Sequence, residues 1–303
     1  MLTAVRLGSY VGVLGVVFGI AWGAGDLIGP ELGPASPSAA TGMTTMVGGA
    51  PAPVVSSTDG LAQTAGGYTL VPRTTTFAAD RPGELAVTVV GRGGRPVTSF
   101  DTPPGGAPMR LMVVRRDGAD FRSIVPTAAP DGTWTTPLQL PSAGAWRLLA
   151  EFSPAGSPRV VLGTDLFVPG DFTPRQFPVS RSTQAGGYTV RLDGDLLPGA
   201  TASVFATVSR DGQGITDLEP VDGVFGQVVA LRVGDLAYTP VEAETRALPD
   251  ERSGPGIALR VTIPTDGVYR LFLTFRHEGE LRSVDFTVLT AGLPAAARAG
   301  GYR

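Results

Sequence analysis

From residue 65 onward the apolar positions fall into short runs rich in Val, Leu and aromatic side chains, each closed by Gly, Pro or Asp. Leu85 to Val90, Arg110 to Arg115, Trp146 to Phe152 and Val160 to Val168 make one set. Thr201 to Ser209, Val228 to Val233, Leu259 to Ile263, Tyr269 to Phe275 and Leu281 to Leu289 make another. Runs of this length between breakers predict β-strands. Asp131-Gly132, Asp193-Gly194, Asp211-Gly212 and Glu278-Gly279 supply the turns. No stretch of this region has a sustained 3.6-residue apolar period bounded by caps, so no helix is predicted there.

The two sets are copies of one pattern. Ala65-Gly66-Gly67-Tyr68-Thr69 returns 120 residues later as Ala185-Gly186-Gly187-Tyr188-Thr189. Leu111-Met112-Val113-Val114-Arg115 is answered by Val228-Val229-Ala230-Leu231-Arg232 at an offset of 117, and Gly144 to Phe152 by Gly267 to Phe275 at 123. Three collinear matches at nearly one offset indicate an internal duplication of a domain-sized unit. Six or seven short strands per copy with regular turns predict an all-β protein of two tandem immunoglobulin-like β-sandwiches. The expected first sandwich is 65–171, the interdomain connection 172–184, with Pro174 and Pro178, and the second sandwich 185–290; 291–303 reads as a disordered tail.

The beginning of the chain has a different pattern. Leu7 to Gly25 is 19 residues without a charge, preceded by Arg6. As a helix at 1.5 Å per residue it covers roughly 28 Å, near the thickness of a bilayer core. Residues 1–29 therefore read as a transmembrane signal anchor, and Arg6 orients the bulk of the chain outside the cytoplasm. Ala21-Trp22-Gly23 also offers a small-x-small cleavage site, which would make the product secreted. Residues 30–64 are Pro, Ala, Ser, Thr and Gly with few large apolar side chains, a composition that predicts a disordered linker. Met43 and Met46 lie in it, two thioethers without a third metal ligand.

Composition narrows the function classes. Of 303 residues 42 are Gly and 27 Pro, which fits many turns while 43% of residues remain hydrophobic. The net charge of −3 supplies no general attraction to nucleic acid, so no nucleic acid partner is expected. The chain has no Cys, which removes disulfides, thiolate metal sites and Cys nucleophiles. A single His, His277, leaves little for a catalytic triad or a multi-His metal site.

The remaining candidate groups read as structural. Arg115-Arg116-Asp117 and Arg232 with Asp235 occupy matching places in the two copies. They are either anion clamps or Arg/Asp-paired turns, and the second reading is preferred. His277 directly precedes Glu278-Gly279, where a solvated turn His is expected. Glu242, Glu244, Asp250 and Glu251 lack the dense alternating spacing of a calcium loop and read as a solvated loop. No nucleophile, base and orienting group assemble in the pattern, so no catalytic, cofactor-binding or metal residue and no cofactor is predicted.

Met109 to Asp117, Phe121 to Pro126 and Asp131-Gly132-Thr133-Trp134 resemble a family of exported, membrane-anchored actinobacterial proteins with tandem β-sandwich domains of the secreted or heavy-metal-binding type. The second copy resembles the same family through Leu218-Glu219-Pro220 and Gly226 to Tyr238. The resemblance covers about residues 65–290. It implies histidines where this chain has Gly105, Arg110, Ser123 and Val125, and again where it has Gln227, Pro240 and Glu242. All of these positions are non-His here, and Val125 and Pro240 have no side-chain donor.

The expectation is a divergent member that keeps the scaffold and has lost a metal site. It is expected to be a non-enzymatic, extracytoplasmic, membrane-anchored interaction or scaffold protein of the cell envelope with an unidentified envelope protein partner. The alternative is a residual copper or heavy-metal-binding or metallochaperone role resting on His277, Met109, Met112 and the linker methionines.

Overall fold

A computed structural model of the chain describes residues 59–292. The expected anchor at 1–29, the linker up to residue 58 with Met43 and Met46, and the tail from residue 293 lie outside the described residues. Every regular element among the described residues is a strand, and no helix there is long and apolar enough to cross a membrane.

In the first half the strands are β1 (Thr64–Ala65), β2 (Tyr68–Pro72), β3 (Pro82–Val90), β4 (Met109–Arg115), β5 (Arg122–Ile124), β6 (Thr127–Ala128), β7 (Thr133–Gln139), β8 (Gly144–Phe152) and β9 (Val160–Val168). In the second they are β10 (Ser182–Ala185), β11 (Tyr188–Asp193), β12 (Thr201–Arg210), β13 (Gln213–Gly214), β14 (Gln227–Arg232), β15 (Tyr238–Ala243), β16 (Gly256–Thr262), β17 (Val268–His277) and β18 (Glu280–Leu289). All nine runs picked out by their apolar pattern are strands. Pattern alone missed the other nine, among them the longer strands β2, β7, β11 and β15. Thr133–Gln139, for example, reads Thr-Trp-Thr-Thr-Pro-Leu-Gln, whose Thr and Pro hide an alternation in which Trp134, Thr136 and Leu138 are buried.

The first half forms two sheets, ordered β1-β2-β3-β7-β6 and β5-β4-β8-β9. Leu70, Leu85, Val87 and Val89 of one face Leu111, Val113, Trp146, Leu148 and Leu162 of the other in a single core. In the second half the strands run β10-β11-β12-β16-β15-β14-β17-β18, with β15 bonded to both β14 and β16 and so joining the two faces. There Val190, Val204, Val208 and Leu259 pack on Val228, Ala230, Leu271, Leu273 and Phe286. The hairpin between β17 and β18 turns at Glu278 and Gly279 with φ of 55° and 76°, the two positive values a tight two-residue hairpin needs.

β4 is buried on both faces. Leu111 and Val113 enter the first core, while Met112 and Val114 point the opposite way and are equally inaccessible. What covers them is the second half. Met112, Val114, Leu149 and Val161 pack with Val229, Leu231, Leu236, Tyr238 and Phe272 in a third apolar cluster, a seam between the halves. The lead-in segment before β1 joins this seam, since Tyr238 donates its backbone N–H to Asp59 O at 2.6 Å and Arg147 donates to the carbonyls of Gly60 and Leu61. The connection is pinned there too. Arg175 bonds Asp117 and Asp120, and the ring of Phe177 lies 3.7 Å from the Arg270 guanidinium.

Candidate functional site

Beside the seam lies a cleft of about 600 Å³ with walls from both halves. The 101–108 loop, Arg110, Glu151 and Arg159 line one side; Asp222, Gln227, Tyr238, Glu242 and Arg246 line the other. Two tight turns close its floor. Asp222 and Gly223 form a two-residue turn with φ of 50° and 77° between Val221 and Val224, whose backbones exchange hydrogen bonds. Against this turn sits Gly105, at φ 72°, and a Cβ on Gly105 would lie 3.0 Å from the Cα of Gly223. Glycine at both places lets the backbones of the two halves touch.

The turn presents the Asp222 carboxylate to the first half. Arg110 donates to Asp222 Oδ2 at 2.6 Å and to Ser123 Oγ at 3.2 Å, and Gln227 donates to the same Asp222 oxygen at 2.9 Å. Also in the cleft lining, Arg159 pairs with Glu151 at 3.0 Å, and the Tyr238 hydroxyl donates to Glu151 Oε1 at 3.2 Å. Burial raises the Tyr238 phenol well above its ordinary value, and the charge of Glu151 adds to this, so it stays protonated. Burial by itself would lower Arg159, but the carboxylates of Glu151 and Glu242 oppose it and its pKa is raised. The cleft is thus walled by charges that compensate one another across the two halves.

The positions singled out by the family resemblance separate into two groups. Arg110, Ser123 and Gln227 converge through Asp222, and Gly105 lies against the same turn. Glu242 lines the cleft, whereas Val125 and Pro240 are exposed and take no part in it. Sequence reasoning did not pick out Asp222 or Glu151. The Asp222-Gly223 dipeptide is a hairpin signal that went unused, and nothing local to Glu151 marks it.

The paired arginines are turn staples. Arg115 grips Asp117 through Nε at 2.9 Å and Nη2 at 2.6 Å, and Arg232 Nε lies 3.1 Å from Asp235 Oδ1. Burial alone would raise both carboxylates, but the arginine hydrogen bonds and backbone N–H donors prevail and both pKa values are lowered. Arg270, buried at the seam, has its pKa lowered by burial against the opposing pull of Asp285, and donates to Gly118 O across the seam.

His277 differs from expectation. It is not a solvated turn residue but the last residue of β17, 5% exposed. Its Nδ1 is hydrogen-bonded to the Tyr188 hydroxyl at 2.7 Å and its Nε2 donates to Asp217 Oδ1 at 3.0 Å. The alternation of β17 turns its side chain inward beside Tyr188, which the turn signal that follows it concealed. Met109 sits in the first core and Met112 in the seam, on opposite faces of β4, and His277's ring partners are Tyr188 and Asp217. Among the described residues no group of three or more His, Cys, Asp or Glu is placed to hold a metal ion. In the acidic stretch, Glu244 bonds Ser203 and Glu251 caps the Leu248 N–H.

Residues 183–292 match a family described as a domain of unknown function, DUF8832. No curated protein matches the chain. Among solved structures it is similar to a DUF4426 family protein from Pseudomonas aeruginosa PAO1, at 11% identity over 36% of this chain and 96% of that one, with a TM-score of 0.26. It is also similar to the Escherichia coli adhesin FdeC, at 13% identity over 74% of this chain and 64% of the adhesin chain, TM-score 0.23. A third is the N-terminal Ig1-2 module of the Drosophila receptor protein tyrosine phosphatase DLAR, at 9% identity over 74% and 98%, TM-score 0.20.

Proposed function

We propose that the protein is a non-enzymatic, extracytoplasmic interaction or scaffold protein, two immunoglobulin-like sandwiches held as one rigid body and tethered to the cell membrane by residues 1–29 through the 30–64 linker. The apolar seam of Met112, Val114, Leu149, Val229, Leu231, Tyr238 and Phe272 carries this reading. A flexible tandem needs no such contact, and interdomain surfaces within a chain are on average more polar than this. The strand order supports the immunoglobulin-like assignment. β2-β3-β7-β6 facing β4-β8-β9 follows the ABED and CFG order of that fold, with β5 added beside β4.

A divergent scaffold that has lost a metal site is the family reading that fits the cleft. Arg110, Ser123 and Gln227 gather around Asp222, and a guanidinium there places positive charge where a metal ion would need room and donor lone pairs.

Two measurements test this. Calorimetric titration of residues 53–303 with Cu(II) and Zn(II) is expected to give no submicromolar binding. A reporter active only outside the cytoplasm, fused after Arg303 of the full chain, is expected to be active and membrane-bound. Tight metal binding contradicts the lost site, and an inactive reporter contradicts the location.

A further inference from the structure

The seam joins residues that the duplication makes equivalent. The offset of 117 that relates β4 to β14 also relates Met112 to Val229, Val114 to Leu231 and Phe121 to Tyr238. The offset of 123 between β8 and β17 relates Leu149 to Phe272. Seven of these side chains belong to the seam cluster and Phe121 packs against it, stacked on Phe272. Each has the same neighbours on its own sheet, Met112 opposite Leu149 in one half and Val229 opposite Phe272 in the other.

The polar contacts draw on equivalent positions but do not repeat as symmetric pairs. Arg110 and Gln227 are equivalent, and both donate to Asp222. Gly105 corresponds to Asp222 and Gly106 to Gly223, so equivalent chain segments meet where Gly105 packs against Gly223. Arg147 and Arg270 are equivalent as well. Arg270 captures a carbonyl of the opposite half, Gly118, whereas Arg147 takes the lead-in carbonyls of Gly60 and Leu61. There the lead-in breaks the symmetry, as do Leu236 against its counterpart Ala119 and Val161 against Ser283.

When one patch meets its own equivalent about a two-fold axis the interface is isologous, the geometry of a homodimer. We propose that the seam is a fused homodimer interface: each half presents a self-complementary face whose fitting partner is a second copy of that same half. In the intact chain the two halves satisfy each other, and the connection at 172–184 makes the pairing intramolecular.

Two reciprocal variants of the 53–303 chain test this. V229M/L231V/Y238F/F272L gives both halves the first half's face, and M112V/V114L/F121Y/L149F gives both the second half's. A self-complementary face predicts that at least one variant keeps the wild-type radius of gyration by small-angle X-ray scattering and a single thermal transition. Leu149→Asp, a charge placed in the seam, is the control that opens the molecule. If both reciprocal variants expand, melt in two steps or fail to fold, the proposal is overturned, because every substituted side chain lies on the seam and not in the core of either half.

Discussion

Phe121 and Phe272 stack across the seam with ring centroids 4.2 Å apart and planes 14° from parallel, one ring from each half. Phe121 follows the turn that Arg115 and Asp117 hold, directly before β5, and Phe272 lies on the outer face of β17. A turn staple in one half thereby lies next to a contact with the other half, linking local structure to the seam.

Phe272→Ala removes the stack and leaves a cavity in the seam. Burial and cavity effects together cost about 3 kcal/mol, and the stack adds about 1 kcal/mol. Trp134 and Trp146 both lie in the first core, so in residues 53–303 tryptophan fluorescence follows the first half while far-UV dichroism follows both. In urea the two signals are expected to coincide for the wild type and to diverge for Phe272→Ala. Coincident transitions in the variant would show that the halves are coupled by something other than this contact.

Gly105→Ala combines two costs, a positive φ and a Cβ forced onto Gly223. Gly156→Ala carries only the first, since Gly156 has φ 64° and nothing within 4 Å of its missing Cβ. Backbone strain alone costs about 1 kcal/mol. The Gly105 variant is therefore expected to lose clearly more stability than the Gly156 variant in denaturant melts, and equal losses would mean that the turn contact is soft.

Asp117 and Asp235 set the acid limit of stability. Both have folded pKa values below the ordinary 3.8 despite burial, because Arg115 and Arg232 bond the ionised forms. The unfolded chain then binds protons more readily, so the stabilisation is full above pH 3.8 and is lost as pH falls below it through the folded values. Thermal midpoints should be flat in this respect down to about pH 4 and then fall. Asp117→Asn should lower the neutral-pH midpoint and make the fall shallower; an unchanged acid limb would remove Asp117 from the account.

The Tyr188 hydroxyl and His277 ring are buried partners, so deleting one leaves the other unsatisfied. Tyr188→Phe strands His277 Nδ1 and is expected to cost about 1–3 kcal/mol in a urea melt. His277→Phe in the same background should then cost less than it does alone, because the hydrogen bond is already lost and the substitution removes the orphaned nitrogen. Additive losses would mean that the 2.7 Å contact contributes nothing.

The strand pattern was legible in part, because apolar runs, Asp-Gly turns and the three segments that match between the two sets are local signals. The seam was not, although its trace is present. Leu111-Met112-Val113-Val114 and Val228-Val229-Ala230-Leu231 are continuous apolar runs where a half-solvated strand would alternate, and such runs mark strands covered on both faces. The seam's polar members were harder to foresee. Asp222 and Glu151 acquire their roles from Arg110 and Tyr238, the partners of Asp222 and Glu151 being 112 and 87 residues away. His277 was misplaced because the Glu278-Gly279 turn signal outweighed the inward phase of the strand before it.

The central claim, that the two halves are one rigid body, is tested most directly by a distance measured between them. The chain has no Cys, so spin labels at Val125→Cys and Leu281→Cys, exposed positions in opposite halves, report one distance without background. Pulsed electron spin resonance on residues 53–303 is predicted to give a single narrow distribution that broadens in the Phe272→Ala variant. A broad distribution in the wild-type chain would contradict the account.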